Sequence, residues 1–325
     1  MQPFKMFLRG LALAAVMAPA AAQAENLRVL SSWSDNYAPV TEVLDPFLRK
    51  LETESDGALT LTRMGPETIP PFEQLDPVSR GLFDMLFTNG AYHYNDTAVG
   101  MALDALSGNA ADLREAGIWD FVDQHYQERG LKLIAILYDL NGYHIMLKEP
   151  LTGNALEGRK IRGTPIYHAI IESLGGSPVV LPAGEIYPSL ERGVVEGASW
   201  PTVGAVGFRW YEVADYMMRP TFGQVGHPVF MSLDTWNGLD AATQELISRA
   251  AEEYEAEAVE NFNRLVAAEE ATLEQEGMTV TELGEAHLGK LGAAWYEGAM
   301  GLAAQQNPDA IAQMDEMARK AGLTP

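Results

Sequence analysis

The chain contains no cysteine. Disulfides, thiolate zinc sites and a cysteine nucleophile are therefore excluded, and the fold must rest on its core. Basic residues are scarce: 22 Lys and Arg stand against 45 Asp and Glu, for a formal net charge of −23 at pH 7. A polyphosphate backbone needs a basic face, so this balance argues against a nucleic-acid partner. An anionic ligand would need a local cationic site to hold it against the overall field. The six histidines, His93, His125, His144, His168, His227 and His287, never fall at HxH or HExxH spacing, which argues against a metalloenzyme. GxSxG, P-loop and dinucleotide fingerprints are missing as well, and no cofactor is expected. After the first residues, every hydrophobic run is broken within about ten residues by a charge, Gly or Pro, so no stable membrane insertion is expected.

What is present begins with an export leader. Lys5 and Arg9 precede an apolar stretch from Gly10 to Ala18, and Ala22-Gln23-Ala24 forms a small-x-small pattern just before Glu25. This order predicts a secretory signal peptide over residues 1–24 with cleavage after Ala24. Lys5 and Arg9 are the leader's only charges, so cleavage makes the chain more acidic still. The remainder is long enough for one large or two ordinary domains.

Short β-rich runs then alternate with helical patterns. Leu27 to Ser31, Leu59 to Arg63, Phe83 to Phe87 and Leu131 to Leu137 read as buried strands, with an amphipathic segment from Val40 to Leu51 between the first two. The alternation predicts an α/β architecture with a largely parallel sheet. A second set follows Pro150: Lys160 and Ile161 end a short strand, Thr164 and Pro165 have the character of N-cap and N1, Gly175-Gly176 ends that helix, and Val179 to Leu181 is the next strand. Two such sets predict two lobes, with a crevice at the carboxyl ends of their strands.

From Leu239 to Glu276 there is neither Gly nor Pro, and Leu246, Ala250, Tyr254, Ala258, Phe262 and Val266 recur every fourth residue. This predicts one helix on the order of 55 Å long, with Asp240 as N-cap. A helix longer than a lobe is wide should lie across both. The expected division is 25–145 with about 229–275 as the first lobe, and 146–228 with about 276–325 as the second.

Residues 156–201 read LEGRKIRGTPIYHAIIESLGGSPVVLPAGEIYPSLERGVVEGASWP. In this segment the chain resembles the solute-binding proteins of TRAP transporters, the DctP-like family. Three blocks in register carry the resemblance: Leu156, Gly158, Lys160, Ile161 and Arg162; then Leu174, Gly175 and Pro178; then Glu185, Tyr187, Leu190, Gly193, Val195 and Gly197. Gly65-Pro66-Glu67, Gly81 and Phe83-Asp84-Met85 extend it more weakly towards the N-terminus. The resemblance implies a two-lobed periplasmic binding protein fold with a ligand cleft between the lobes and a long bracing helix. It implies an anionic organic ligand, usually a carboxylate, and TRAP membrane transporter subunits as partners. It also implies a binding role rather than an enzymatic one, in the periplasm.

Arg162 is the leading site residue. It stands at the carboxyl end of a short strand, two residues before a helix N-terminus where backbone N–H groups favour an anion, and a guanidinium is a planar two-pronged donor matched to a carboxylate. In the family, the matching Arg grips the substrate carboxylate. Glu185 and Tyr187 fall just before or within the first turn of a short helix, as Pro188 requires. In a closing cleft Glu185 could meet an ammonium or hydroxyl, or hold Arg162, or it could simply be an N-terminal helix acid. Trp33 follows the first strand, and Asn89 and Tyr92 follow the third, so all three are candidates for the cleft wall.

Two positions depart from the family pattern. Many members carry Asn where this chain has Trp200, and many carry a second Arg where it reads Asn141-Gly142-Tyr143-His144. His144 could still donate a hydrogen bond to a ligand, or be structural. With one cation and an added aromatic, the expected ligand is a monocarboxylate with an apolar or aromatic body, with or without a 2-hydroxy or 2-oxo group. An ABC-type or sensory periplasmic binding protein is the alternative, and a periplasmic hydrolase or lyase is a more distant one.

Overall fold

The computed structural model describes residues 25–153, 155–289 and 291–324, and the expected leader lies outside them. Glu25–Ser31 (β1), Leu59–Met64 (β2), Met85–Phe87 (β3), Leu131–Asp139 (β4) and Val225–Ser232 (β10) form the first sheet, in the order β2-β1-β3-β10-β4. Tyr143–Leu147 (β5), Lys160–Arg162 (β6), Ser177–Val179 (β7), Gly197–Pro201 (β8), Tyr216–Arg219 (β9) and Thr279–Glu282 (β11) form the second, in the order β11-β9-β5-β8-β6-β7.

Both sheets are mixed, which corrects the largely parallel expectation. The βαβ steps give parallel pairs, β1 with β2 and β3, and β6 with β7 and β8. The strands that cross between lobes return antiparallel, β10 against β3 and β4, and β5 against β8 and β9. Other boundaries move by a few residues, and β3, expected from Phe83, begins at Met85. β7 ends at Val179, and Val180, expected inside the strand, is exposed. The segment expected from Val40 to Leu51 runs on to Glu54, as a π-helical turn followed by an α-helix.

β4 reads LKLIAILYD and is buried along almost its whole length, because helices cover it. Ile118–Gln127 and the long helix both pack on it. Two carboxylates satisfy backbone N–H groups of this edge strand: Leu133 N–H donates to Asp123 at 2.9 Å and Ile136 N–H to Glu255 at 2.9 Å.

The long helix runs Ala241–Gln275, 35 residues or roughly 52 Å. Asp240 caps it, accepting from Thr243 N–H at 2.8 Å. Its apolar stripe buries Ala250, Tyr254, Ala258, Phe262 and Val266 as expected, and two acids besides, Glu255 and Glu269. Glu255 meets β4 and Arg114, whereas Glu269 accepts from Gly204 N–H and Val206 N–H just after β8. The brace is therefore fastened to each sheet's side by a buried carboxylate.

Two connections cross between the sheets side by side, 140–142 and 220–224. Tyr143 and Phe222 exchange backbone hydrogen bonds of 2.9 and 3.0 Å there. Gly142 has φ +78°, and a Cβ on it would lie 2.4 Å from Gly223 O, so only glycine permits this crossing. C-terminal helices Leu291–Gln306 and Pro308–Ala321 pack on elements flanking both sheets, the former on His168–Ser173 and the latter on Ile118–Gln127. No helix of the described residues is long and apolar enough to cross a membrane.

Candidate functional site

β6 ends at Arg162, and the chain turns through Gly163 to Thr164, which occupies the N-cap position of a Pro165-initiated turn without a side-chain capping bond. This places the guanidinium at the carboxyl edge of the second sheet, facing the first. Arg162 is wholly buried. Its Nε donates to Leu181 O at 2.9 Å and its Nη1 to Ser199 O at 3.0 Å, while Nη2 has no partner. Its Cζ lies 5.0 Å from the centre of the Trp200 ring. Two carbonyls and an indole face thus orient the group but leave its charge uncompensated, since among the described residues no carboxylate pairs with it. A buried cation in this state favours an anion strongly.

The cavity at Arg162 is bounded on the second sheet's side by Tyr143, Thr164, Tyr167, Trp200 and Pro201, and on the first sheet's side by Trp33, Asn89, Tyr92, Val225 and His227. Its volume is about 20 Å³, room for about one water, so the lobes are closed on the arginine. Arg162, Trp200, Trp33, Asn89 and Tyr92 are therefore brought together. The polar aromatics around them are internally engaged. Trp33 Nε1 donates to Tyr92 Oη at 2.8 Å. His227 Nδ1 lies 3.1 Å from Leu137 O, which can only accept, so Nδ1 carries the proton and Nε2 accepts from Tyr37 at 2.9 Å. Burial holds His227 down at about 4, and it is stacked on Phe87 and on Phe262.

The other three candidates lie elsewhere. His144 is fully buried but on the opposite face of β5 from Tyr143, as strand alternation dictates. Arg219 donates to its Nδ1 at 3.1 Å, and burial, with that arginine beside it, holds it down at about 3. His144 is thus held neutral, and neither it nor Arg219, which is also paired with Glu270 at 2.7 Å, borders the cavity. Glu185 is exposed at the start of the helix Ile186–Glu191 and makes no capping bond. Tyr187 donates to Glu212 at 3.0 Å and borders a wider outer cleft of about 580 Å³. That cleft runs between Ser34, Asn36 and Glu67 on one side and Gly184, Phe208 and Arg209 on the other, and Trp33 borders both spaces.

Several wall residues were not foreseen. Tyr143 sits one position from His144, and its parity was unreadable because every residue of β5 is buried. Tyr167 and His227 carried no signal beyond residue type. Behind the wall lies Asp104, whose carboxylate is buried and pushed up to about 7 by desolvation.

Residues 30–298 match the family model described as DctP, bacterial extracellular solute-binding protein, family 7. The chain is 26% identical over 264 residues to a solute-binding protein of Sulfitobacter sp. (strain NAS-14.1), covering 75% of this chain and 77% of that one. It is 26% identical over 168 residues to the ectoine-binding periplasmic protein TeaA of Halomonas elongata, 49% of this chain and 48% of that one. Among solved structures, a TRAP periplasmic solute-binding protein from Desulfovibrio salexigens with bound orotic acid aligns at a TM-score of 0.78 and 19% identity, over 91% of this chain and 99% of that chain. Proteins of this family are periplasmic receptors that work with membrane transporter subunits. With the family match running from residue 30 to 298 and the two-lobed, helix-braced fold of solved TRAP receptors, this chain belongs to the DctP family of bacterial extracellular solute-binding proteins.

Proposed function

We propose that this protein is exported to the periplasm, closes its two lobes on a small organic monocarboxylate, and delivers it to TRAP membrane subunits. The observation that carries the reading is Arg162, a buried cation without an anionic partner and with one amino group unbonded. A ligand carboxylate supplies the missing charge, and Nη2 together with the remaining hydrogen of Nη1 offers it a two-pronged seat. The moving bodies are taken as 25–145 with about 229–275, and 146–228 with about 276–325. The proposed wall is Arg162, Trp200, Trp33, Asn89 and Tyr92, to which Tyr143, Tyr167 and His227 are added.

Ligands differ among the relatives, from orotic acid to ectoine, so the choice must come from this pocket. Its lining holds one permanent cation, no carboxylate and several aromatic rings. A second carboxylate would be buried without a partner, at a cost of several kcal/mol. A zwitterion would likewise lack an acid for its cationic end. The ligand's body is therefore apolar or aromatic, against Trp33 and Trp200.

Calorimetry with benzoate, mandelate, malate, succinate and ectoine tests this. An aromatic monocarboxylate should bind at least about tenfold more tightly than either dicarboxylate, and Trp200→Ala should remove most of that advantage. Tighter binding of a dicarboxylate or of ectoine would overturn the reading.

A further inference from the structure

Hydrogen-bond capacity around Asp104 fixes the polarity of one wall of the pocket. Asp104 Oδ1 accepts from Gly226 N–H at 2.7 Å. Its Oδ2 accepts from the Tyr143 hydroxyl at 2.6 Å and from Asn89 Nδ2 at 2.9 Å. All three neighbours are donors, and none is a cation. The same Asn89 Nδ2 donates its other hydrogen to Gly226 O at 3.0 Å, and Asn89 Oδ1 accepts from Ala91 N–H at 3.0 Å. Asn89 has therefore no hydrogen left for a ligand. A phenol has a single hydrogen, and Tyr143 has committed it to Asp104. What Tyr143 retains is a lone pair, and Tyr143 lines the cavity. The opposite character prevails beside Arg162, where Nη2 is free and Tyr92, already accepting from Trp33, keeps its own hydrogen.

We propose that Tyr143, oriented by Asp104, is a specificity residue that accepts a hydrogen bond from the ligand, so that the preferred acid carries a hydroxyl or N–H donor rather than a carbonyl facing it. This inference rests on the carboxylate reading of Arg162 and narrows it, favouring a 2-hydroxy acid over the matching 2-oxo acid. A keto oxygen placed against the Tyr143 lone pair would be both unpaired and repelled, and such a mismatch in a buried site discriminates strongly. Asp104 acts through Tyr143 and is a positioning residue.

The experiment compares matched acids by calorimetry, lactate with pyruvate and mandelate with phenylglyoxylate. It is run at pH 8.5, above the value of about 7 to which burial pushes Asp104, so that the carboxylate is ionised. The wild type should prefer the hydroxy acid of each pair by about tenfold or more. Tyr143→Phe removes the acceptor and should bring the ratio towards one. Asp104→Asn presents an N–H to Tyr143, turns the phenol hydrogen into the pocket, and should invert the preference; if that variant does not fold, Tyr143→Phe alone decides. Equal binding of the paired acids by the wild type, or an unchanged ratio in Tyr143→Phe, would overturn this inference while leaving the carboxylate reading intact. Failure of every acid to bind, or undiminished binding by Arg162→Ala, would instead overturn the reading beneath it.

Discussion

Glu269→Ala should weaken both the fold and the site, although Glu269 stands on the bracing helix and does not border the cavity. The carboxylate accepts from Gly204 N–H at 3.0 Å and Val206 N–H at 2.7 Å. These amides belong to the loop after β8 that holds Trp200, whose indole N–H donates to Val203 O at 3.1 Å. Truncation leaves two buried amides unpaired, each worth about 1–3 kcal/mol. Part of this is offset, because burial pushes the Glu269 carboxyl up to about 7 and its ionised form is already disfavoured. The net loss should be about 2–4 kcal/mol, whereas Glu269→Gln, which keeps an acceptor, should lose roughly 1 kcal/mol or less. The pH dependence has a definite sign. The folded value lies above the unfolded one, so the native state holds a proton that the unfolded chain has released, and this group's contribution to stability falls as pH rises from about 4.5 through 7. Between pH 5 and 8 the decline is about 2–3 kcal/mol. Buried histidines held near 3 to 4 act in the opposite sense below about 6.5, so the informative quantity is the difference between wild type and Glu269→Gln. Urea denaturation at pH 5 and pH 8, with calorimetry of the best acid at pH 8, provides the measurements. Equal stability of Glu269→Ala and wild type, or the same pH slope in Glu269→Gln, would refute the reasoning.

Two further outcomes follow from the hinge and the closed cavity. Gly142→Ala puts a Cβ at positive φ and 2.4 Å from Gly223 O, and should cost at least about 2 kcal/mol in a denaturant titration, against little change for Gly153→Ala, where nothing lies within 4 Å. A cavity of about 20 Å³ cannot admit an organic acid unless the lobes part, so the protein must open in solution before it closes on its ligand, and small-angle scattering should show a smaller radius of gyration with saturating ligand than without it; an unchanged radius would count against hinge closure.

The parts of this molecule that local rules govern were legible. Asp240 caps the long helix because its side chain accepts from Thr243 three residues on, and the absence of Gly and Pro lets that helix run unbroken. Arg162 ends a strand before a Thr-Pro helix start, and the three family blocks placed it in register. Position alone was not enough where tertiary context decided. β5 reads YHIML and is buried on both faces, so its sequence does not show that Tyr143 rather than His144 meets the cavity. β10 joins the first sheet from far along the chain, and no local pattern marks it as antiparallel. Val180 is apolar, yet the edge strand β7 stops before it, ahead of the turn that starts at Pro182. Glu185 matches a family position but remains in solvent. The buried acids Asp104, Glu255 and Glu269 look like any surface acid in sequence, and only the partners they meet in the fold explain them: backbone amides for all three, with Tyr143 and Asn89 at Asp104 and Arg114 at Glu255.

The most direct measurement is a crystal structure with the acid that calorimetry ranks tightest. The account predicts the ligand's carboxylate oxygens about 2.7–2.9 Å from Arg162 Nη2 and its neighbouring Nη1, with the ligand's body between Trp33 and Trp200 and the two lobes closed around it. An acid bound in the outer cleft beside Arg209, with Arg162 still bonded only to Leu181 O and Ser199 O, would contradict it.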